Sequence, residues 1–379
     1  MLALCFTARV GLGFQFQTMG SVADPLAATF HLSYAEIGTL IGLYLMPGMI
    51  VSIPAGLAGR WASDRVLISG GLALMALGGG IAAGADGFAM LAAGRVVTGV
   101  GFVLCSLYYS KVTIEWFADR ELATAMAILV MSWPFGIALG QVVHGWLAVS
   151  EGWRAPFIVA SLFCLAGALV TFAFYRPPPR APGAQTAISS RLTGTEWILV
   201  LMASLVWALF NAAYVVYLSF AERVLVAGGL KPLESASIVS LASWVMLFSG
   251  AVWGFIADRT GKHALIVTIC LGCAMASLAV LPQVAWAIPA SLVFGLLGVA
   301  PAGLIVALSG SAMAPEKRAF GMGVFLSIFY LLTAPAPALA GWLYDRLGDP
   351  FVPILFAIVL FGLTLVAYHA YRAAHRALA

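Results

Sequence analysis

Long apolar runs broken by short polar punctuation fill this chain of 379 residues. Twelve such runs fall at roughly 2–23, 34–57, 66–85, 88–112, 121–147, 155–175, 196–221, 233–257, 264–282, 285–312, 319–343 and 350–371. Each is long enough to cross about 30 Å of hydrocarbon at about 1.5 Å per residue. Hydrocarbon offers backbone N–H and C=O groups no water, so each run is predicted to be a helix that closes its own hydrogen bonds. Most connections span only a few residues, which makes sequential helices antiparallel neighbours. The long polar exception, Arg176-Pro-Pro-Pro-Arg180 through Thr195, reads as a linker. It divides the chain into a bundle over 1–175, a linker over 176–195 and a bundle over 196–379, with six helices in each bundle.

Composition turns this pattern into a class. Hydrophobic residues make up 63% and charged residues 9%, against about 45–50% and about 25% in soluble domains. The fold class is therefore an all-α, multi-pass membrane protein embedded in the bilayer. The net charge of +4 is spread over the connections, which argues against a nucleic-acid partner. With both termini cytoplasmic, twelve Lys and Arg fall on the inside, among them Arg60, Arg120, Arg180, Arg191, Arg259 and Lys262, and four on the outside. That bias points to the plasma (inner) membrane. The N-terminal run has no basic leader or cleavage site and is expected to be retained. The five cysteines all lie within apolar runs, Cys270 and Cys273 included, and are read as packing residues. No metal cluster, nucleotide-binding loop or catalytic triad is apparent, so neither a cofactor nor an enzyme activity is expected.

Repetition is the next signal. Gly254-Phe-Ile-Ala-Asp258-Arg259-Thr-Gly261-Lys262 is a charged turn between two apolar runs, and Gly56-Leu-Ala-Gly59-Arg60-Trp-Ala-Ser-Asp64-Arg65 occupies the same place in the first half. Gly145-Trp-Leu147 before Ala155-Pro-Phe157 is echoed by Gly341-Trp-Leu343 before Pro350-Phe351, and Gly99 by Gly298. In these motifs the chain resembles the major facilitator superfamily over essentially its whole length. The superfamily's Gly-x-x-x-Asp-Arg-x-Gly-Arg/Lys loop is intact at Gly254 to Lys262 and degraded in the first half, where Gly59 stands in place of the acid and Asp64 is the nearest substitute. Arg95-Val-Val-Thr-Gly99-Val-Gly101 and Gly152-Trp-Arg154 also resemble its patterns. The resemblance implies a monomeric secondary transporter working by alternating access. It further implies a cytoplasmic latch at Gly254, Asp258, Arg259, Gly261 and Lys262, with Arg60 and Asp64 as its weaker counterpart.

Candidate substrate contacts are the polar groups inside spans. A charge at mid-bilayer costs about 2.5–3.5 kcal/mol and is seldom retained without a role. Arg9 shares a helical face with Gly13 and Gln17, and Arg95 shares one with Thr98, Phe102, Ser106 and Tyr109. The resemblance sets the first and fourth helices of each half beside the substrate path. No Asp or Glu is read deep within a span, so two guanidinium forks would make a positive site suited to a carboxylate or similar small anion. Gln141 and His144 in the fifth span, and Trp207, Asn211 and Tyr214 in the seventh, complete the candidate set. His144 also makes protons a candidate coupling ion, as in a symporter. Two alternatives stay open: a multidrug or amphiphile exporter whose arginines are structural, and a membrane sensor that binds without transport.

Overall fold

The apolar runs form helices, and Pro47, Pro301 and Pro335 each stand at a break in one. The computed structural model describes residues 1–117, 122–177, 192–314 and 317–378. Arg120, Arg180 and Arg191 of the basic count, and 178–191 of the predicted linker, lie outside these. Two compact units, Met1–Pro182 and Gly183–Ala379, divide the chain. Among the described residues there is no strand. The five cysteines are free.

The first unit comprises α1 (Leu2–Ser21), α2 (Ala23–Phe30), α3 (Tyr34–Gly42), α4 (Pro47–Ala58), α5 (Asp64–Ala83), α6 (Phe88–Phe117), α7 (Leu122–Ser150) and α8 (Arg154–Phe174). Helix α1 packs along α7 and α8, and α5 along α6 and α8. The predicted span 34–57 is not one helix. It breaks over Leu43–Met46, ahead of Pro47, whose missing N–H suits a first helical position and not an interior one. Helix α2 was not anticipated, because eight residues are too few for a periodic signal. A capping box at Ser33 and Glu36 then opens α3.

The second unit comprises α9 (Gly194–Ala227), α10 (Pro232–Thr260), α11 (His263–Val280), α12 (Ala287–Val293), α13 (Ala302–Val306), α14 (Leu308–Ser311), α15 (Arg318–Thr333), α16 (Ala336–Leu347) and α17 (Val352–Leu378). Helix α9 packs against α15 and α17, and α11 against α17. The predicted span 285–312 is also segmented. A π turn over Phe294–Gly298 separates α12 from α13, and Val299 N–H reaches back five residues to Phe294 O. Pro301 explains it: the ring has no N–H for the carbonyl of Leu297 and would clash with it in a regular helix. Pro335 likewise stands between α15 and α16.

Eleven helices or helix runs among the described residues are long and apolar enough to cross a membrane. Helix α1, the first predicted span, is formed but is not among them, since Arg9, Gln15 and Gln17 dilute its apolar character. Helix α8 shows the solvent for which the fold is built. Its buried face carries Phe157, Ala160, Cys164, Ala168 and Thr171, whereas Ile158, Leu162, Leu165, Leu169 and Phe172 form a continuous exposed stripe. Large apolar groups outside, with mostly small ones inside after Phe157, suit a hydrocarbon solvent, where close backbone packing replaces the hydrophobic drive.

Candidate functional site

In the first unit the candidate residues converge on α1. Close approach of α1 and α7 makes this possible. A Cβ on Gly136 would fall on the Val10 carbonyl oxygen, and one on Gly13 would fall on that of Trp133. Arg9 uses the contact: its Nη1 donates to Leu129 O at 2.7 Å and to Ser132 Oγ at 2.8 Å, one turn before Pro134. Two turns on, Gln17 is buried, and Gly140 of α7 lies against it. Gln141 and His144 are buried on the same helix. The His144 ring sits 4.1 Å from that of Phe14, and neither ring nitrogen has a hydrogen-bond partner.

Arg95 is enclosed, at 1% exposure. Its Nε donates to Leu40 O at 3.0 Å, Nη1 to Gln15 O at 3.3 Å and Nη2 to Phe16 O at 3.5 Å. The guanidinium also lies over the Tyr44 ring at 4.7 Å. The break after α3 supplies the first acceptor: Tyr44 N–H turns to Ile41 O, which releases the Leu40 carbonyl from the helical ladder. The Tyr44 hydroxyl in turn donates to Leu12 O at 2.8 Å. Rings of Phe16, Tyr44, Phe102 and Trp133 surround the pair, with neighbouring centroids 4.9–5.4 Å apart. Arg95 thus ties α1, the α3 terminus and α6 together. Tyr109, predicted on its face, is fully buried further along α6.

Sequence reasoning missed Phe14, Tyr44, Trp133 and Ser132, whose aromatic or hydroxyl character is ordinary in a span. It also missed a pairing. Lys111 bonds both carboxylate oxygens of Asp64, at 2.7 and 2.9 Å, and lies 3.3 Å from Glu115. The acid of the degraded first-half loop is therefore engaged by α6, while Arg60 beside it is exposed.

In the second unit Trp207 stacks on Phe210 at 6.0 Å and approaches Phe329 at 6.1 Å. Asn211 donates to Trp207 O at 2.8 Å, within its own helix, and Tyr214 is buried one turn on. Helix α9 runs on past the predicted edge and includes Glu222 in its last turns. In the intact loop Gly261 caps α10 with φ 65°, its N–H donating to Ala257 O at 2.8 Å. Asp258 is largely exposed, 3.6 Å from His263 Nε2. Arg259 lies over the Phe255 ring at 4.6 Å, and a Cβ on Gly254 would meet nothing. Lys262 precedes α11.

Comparison with known proteins agrees with this architecture. The chain is 23% identical over 254 residues to the hexuronate transporter of Bacillus subtilis, a match covering 64% of this chain and 60% of that protein. It is 25% identical to the 3-(3-hydroxy-phenyl)propionate transporter of Escherichia coli, over 90% of this chain and 85% of that one. A shorter match, 28% identical over 46% of this chain and 42% of the other, is to the cis,cis-muconate transport protein of Acinetobacter baylyi. Among solved structures, the bacterial homolog of the human lysosomal transporter Spinster, inward-facing and unoccupied, superposes with a TM-score of 0.77 at 19% identity. That match covers 99% of this chain and 96% of that one, and so concerns the fold. The sequence profile of the Major Facilitator Superfamily matches residues 5–337, and with that the chain belongs to the Major Facilitator Superfamily as a multi-pass membrane protein of its all-α fold.

Proposed function

We propose that the protein is a secondary transporter that moves a small organic carboxylate, or a comparable oxyanion, by alternating access. The observation that carries this reading is Arg9, a guanidinium set within α1 and held against α7 at Leu129 and Ser132. Charge at such depth is costly, and the planar fork matches a carboxylate. Gln17, Gln141 and His144 offer directed polar groups along the same pair of helices. Trp207, Asn211 and Tyr214 offer an aromatic wall with an amide in the other half. Arg95 is assigned a positioning role instead of a substrate contact, because Nε, Nη1 and Nη2 are each spent on a carbonyl. The relatives named for hexuronate, hydroxyphenylpropionate and muconate support the substrate class, since all three are carboxylates.

His144 is the proposed proton carrier, as its ring nitrogens are uncommitted. The latch is assigned to Gly254 through Lys262. Asp258→Asn is expected to alter transport more than Asp64→Asn, because only the loop from Gly254 to Lys262 keeps the full motif.

Counterflow and net uptake in proteoliposomes test the reading, with a panel of carboxylates, inorganic anions and lipophilic cations and with or without a pH gradient. Saturable carboxylate uptake is expected to fall at least tenfold in kcat/KM in Arg9→Gln, and His144→Gln is expected to remove dependence on the gradient. Uptake of lipophilic cations that ignores Arg9→Gln would overturn the anion reading in favour of an amphiphile exporter. Carboxylate binding without flux would overturn transport itself and leave a sensor.

A further inference from the structure

A cavity of about 500 Å³ opens within the second unit, beside the Asp258–Lys262 turn. Its long wall is the last part of α17, where Tyr368, Tyr371, Arg372, His375 and Arg376 recur at i, i+3, i+4, i+7 and i+8. That spacing places all five on one helical face. The opposite wall is the α13–α14 segment, with Leu304, Ala307 and Leu308 toward the inner end and Ser311 beyond. Asp258 and His263 close one side. Two helical stripes of matching period would ordinarily interlock. Here the Tyr371 hydroxyl spans them, 3.1 Å from both Leu308 O and Ser311 Oγ. His375 Nε2 lies 3.4 Å from Ser311 O.

Charge in the cavity is graded along its length. The inner end is apolar or aromatic, while the outer end carries the two guanidinium groups of Arg372 and Arg376. Against them stands Asp258, which faces His263 at 3.6 Å. The balance is positive with both histidines neutral and more so with either protonated. Basic residues at a helix C-terminus also complement its dipole, but that role needs neither a cavity nor an aromatic wall on the same face. Two arginines one turn apart offer paired forks to the oxygens of a phosphate, and the inner end offers Leu304, Leu308 and Tyr368 to a hydrocarbon substituent. Basic pockets between membrane helices recognise phospholipid headgroups by the same chemistry.

We propose that this cavity binds a phosphate-class anion through Arg372 and Arg376, with the anion's apolar substituent seated against Leu304, Leu308 and Tyr368. The source is either a phospholipid headgroup or a soluble organophosphate. The site does not depend on the transport reading, since its residues are separate from Arg9 and His144. A ligand here would touch Asp258 of the latch, and so would link occupancy to gating.

Calorimetric titration of the delipidated full-length protein in detergent tests the proposal, with dihexanoyl phosphatidylglycerol, dihexanoyl phosphatidylcholine, glycerol 3-phosphate and inorganic phosphate as probes. Dihexanoyl phosphatidylglycerol is expected to bind at least tenfold more tightly than its phosphatidylcholine counterpart. The doubly substituted Arg372→Gln, Arg376→Gln protein is expected to lose at least tenfold in affinity, and Arg372→Lys, Arg376→Lys to recover part of it. Glycerol 3-phosphate binding as tightly as phosphatidylglycerol would assign the site to a soluble ligand, and phosphatidylglycerol binding alone would assign it to the lipid. Should the double glutamine variant not remain monodisperse, Leu308→Trp decides, since it fills the inner end with both arginines intact and should abolish binding. Affinities unchanged by these substitutions, or no binding of any probe to the wild-type protein, would overturn the proposal.

Discussion

Arg95→Lys separates a structural role from a substrate contact. Lysine keeps the positive charge but replaces a rigid five-donor fork with a compact ammonium, which cannot serve acceptors that the guanidinium meets through three different nitrogens. The three acceptors are not equal. Leu40 O has lost its ladder partner and depends on Nε, so stranding it costs about 1–3 kcal/mol. Gln15 O also accepts from Thr18 Oγ1 at 2.8 Å and loses less. The Nη2 contact to Phe16 O, at 3.5 Å, is at the geometric limit and adds little. Weakening the stack on Tyr44 removes about 0.5–2 kcal/mol more. The charge stays buried, so no desolvation energy is returned, and the sum is about 1.5–5 kcal/mol. For a unit of this size about 2–4 °C accompanies each kcal/mol, giving a fall of about 3–20 °C in apparent Tm. Differential scanning fluorimetry in one detergent at one fixed scan rate measures it, because membrane proteins seldom unfold reversibly. An apparent Tm equal to wild type, together with loss of carboxylate transport, would refute the argument and return Arg95 to the substrate.

Two further substitutions test the packing. Gly136→Leu drives a side chain onto the Val10 carbonyl of α1 and should cost about 1–3 kcal/mol by forcing α1 off α7; a smaller monodisperse fraction on size exclusion and a lower apparent Tm are the readouts. Gly261→Ala and Gly254→Ala should move stability in opposite directions although both glycines belong to one motif. The first residue holds φ 65°, where alanine costs about 1–2 kcal/mol, whereas the second is helical with open space at its Cβ and alanine there gains up to about 1 kcal/mol. Equal shifts in apparent Tm would contradict the assignment of the conformational requirement to Gly261.

The run pattern by itself determined the class of fold, because hydrocarbon acts on each residue locally: a segment either satisfies its own backbone or cannot reside there. The edges of α5, α7 and α8 were legible for that reason to within a few residues, as was the singularity of Arg9 and Arg95 among apolar neighbours. The breaks at Leu43–Met46 and Phe294–Gly298 were marked by Pro47 and Pro301, yet Pro134 lies within an unbroken α7. A break ahead of a proline also leaves other carbonyls in need of donors: Tyr44 N–H turns to Ile41 O, and Arg95, 55 residues from Leu40, donates to the carbonyl so released. Nothing in the sequence pointed from Lys111 to Asp64, 47 residues away, and only the fold disclosed the pair. The periodicity of Tyr368 through Arg376 was in the chain, but the cavity before it exists only because α13 and α14 face it. Solvent preference is a property of a residue and its near neighbours, and sequence carries it directly. Which donor meets which acceptor is a property of helices brought together from distant parts of the chain, and that was decided by tertiary packing.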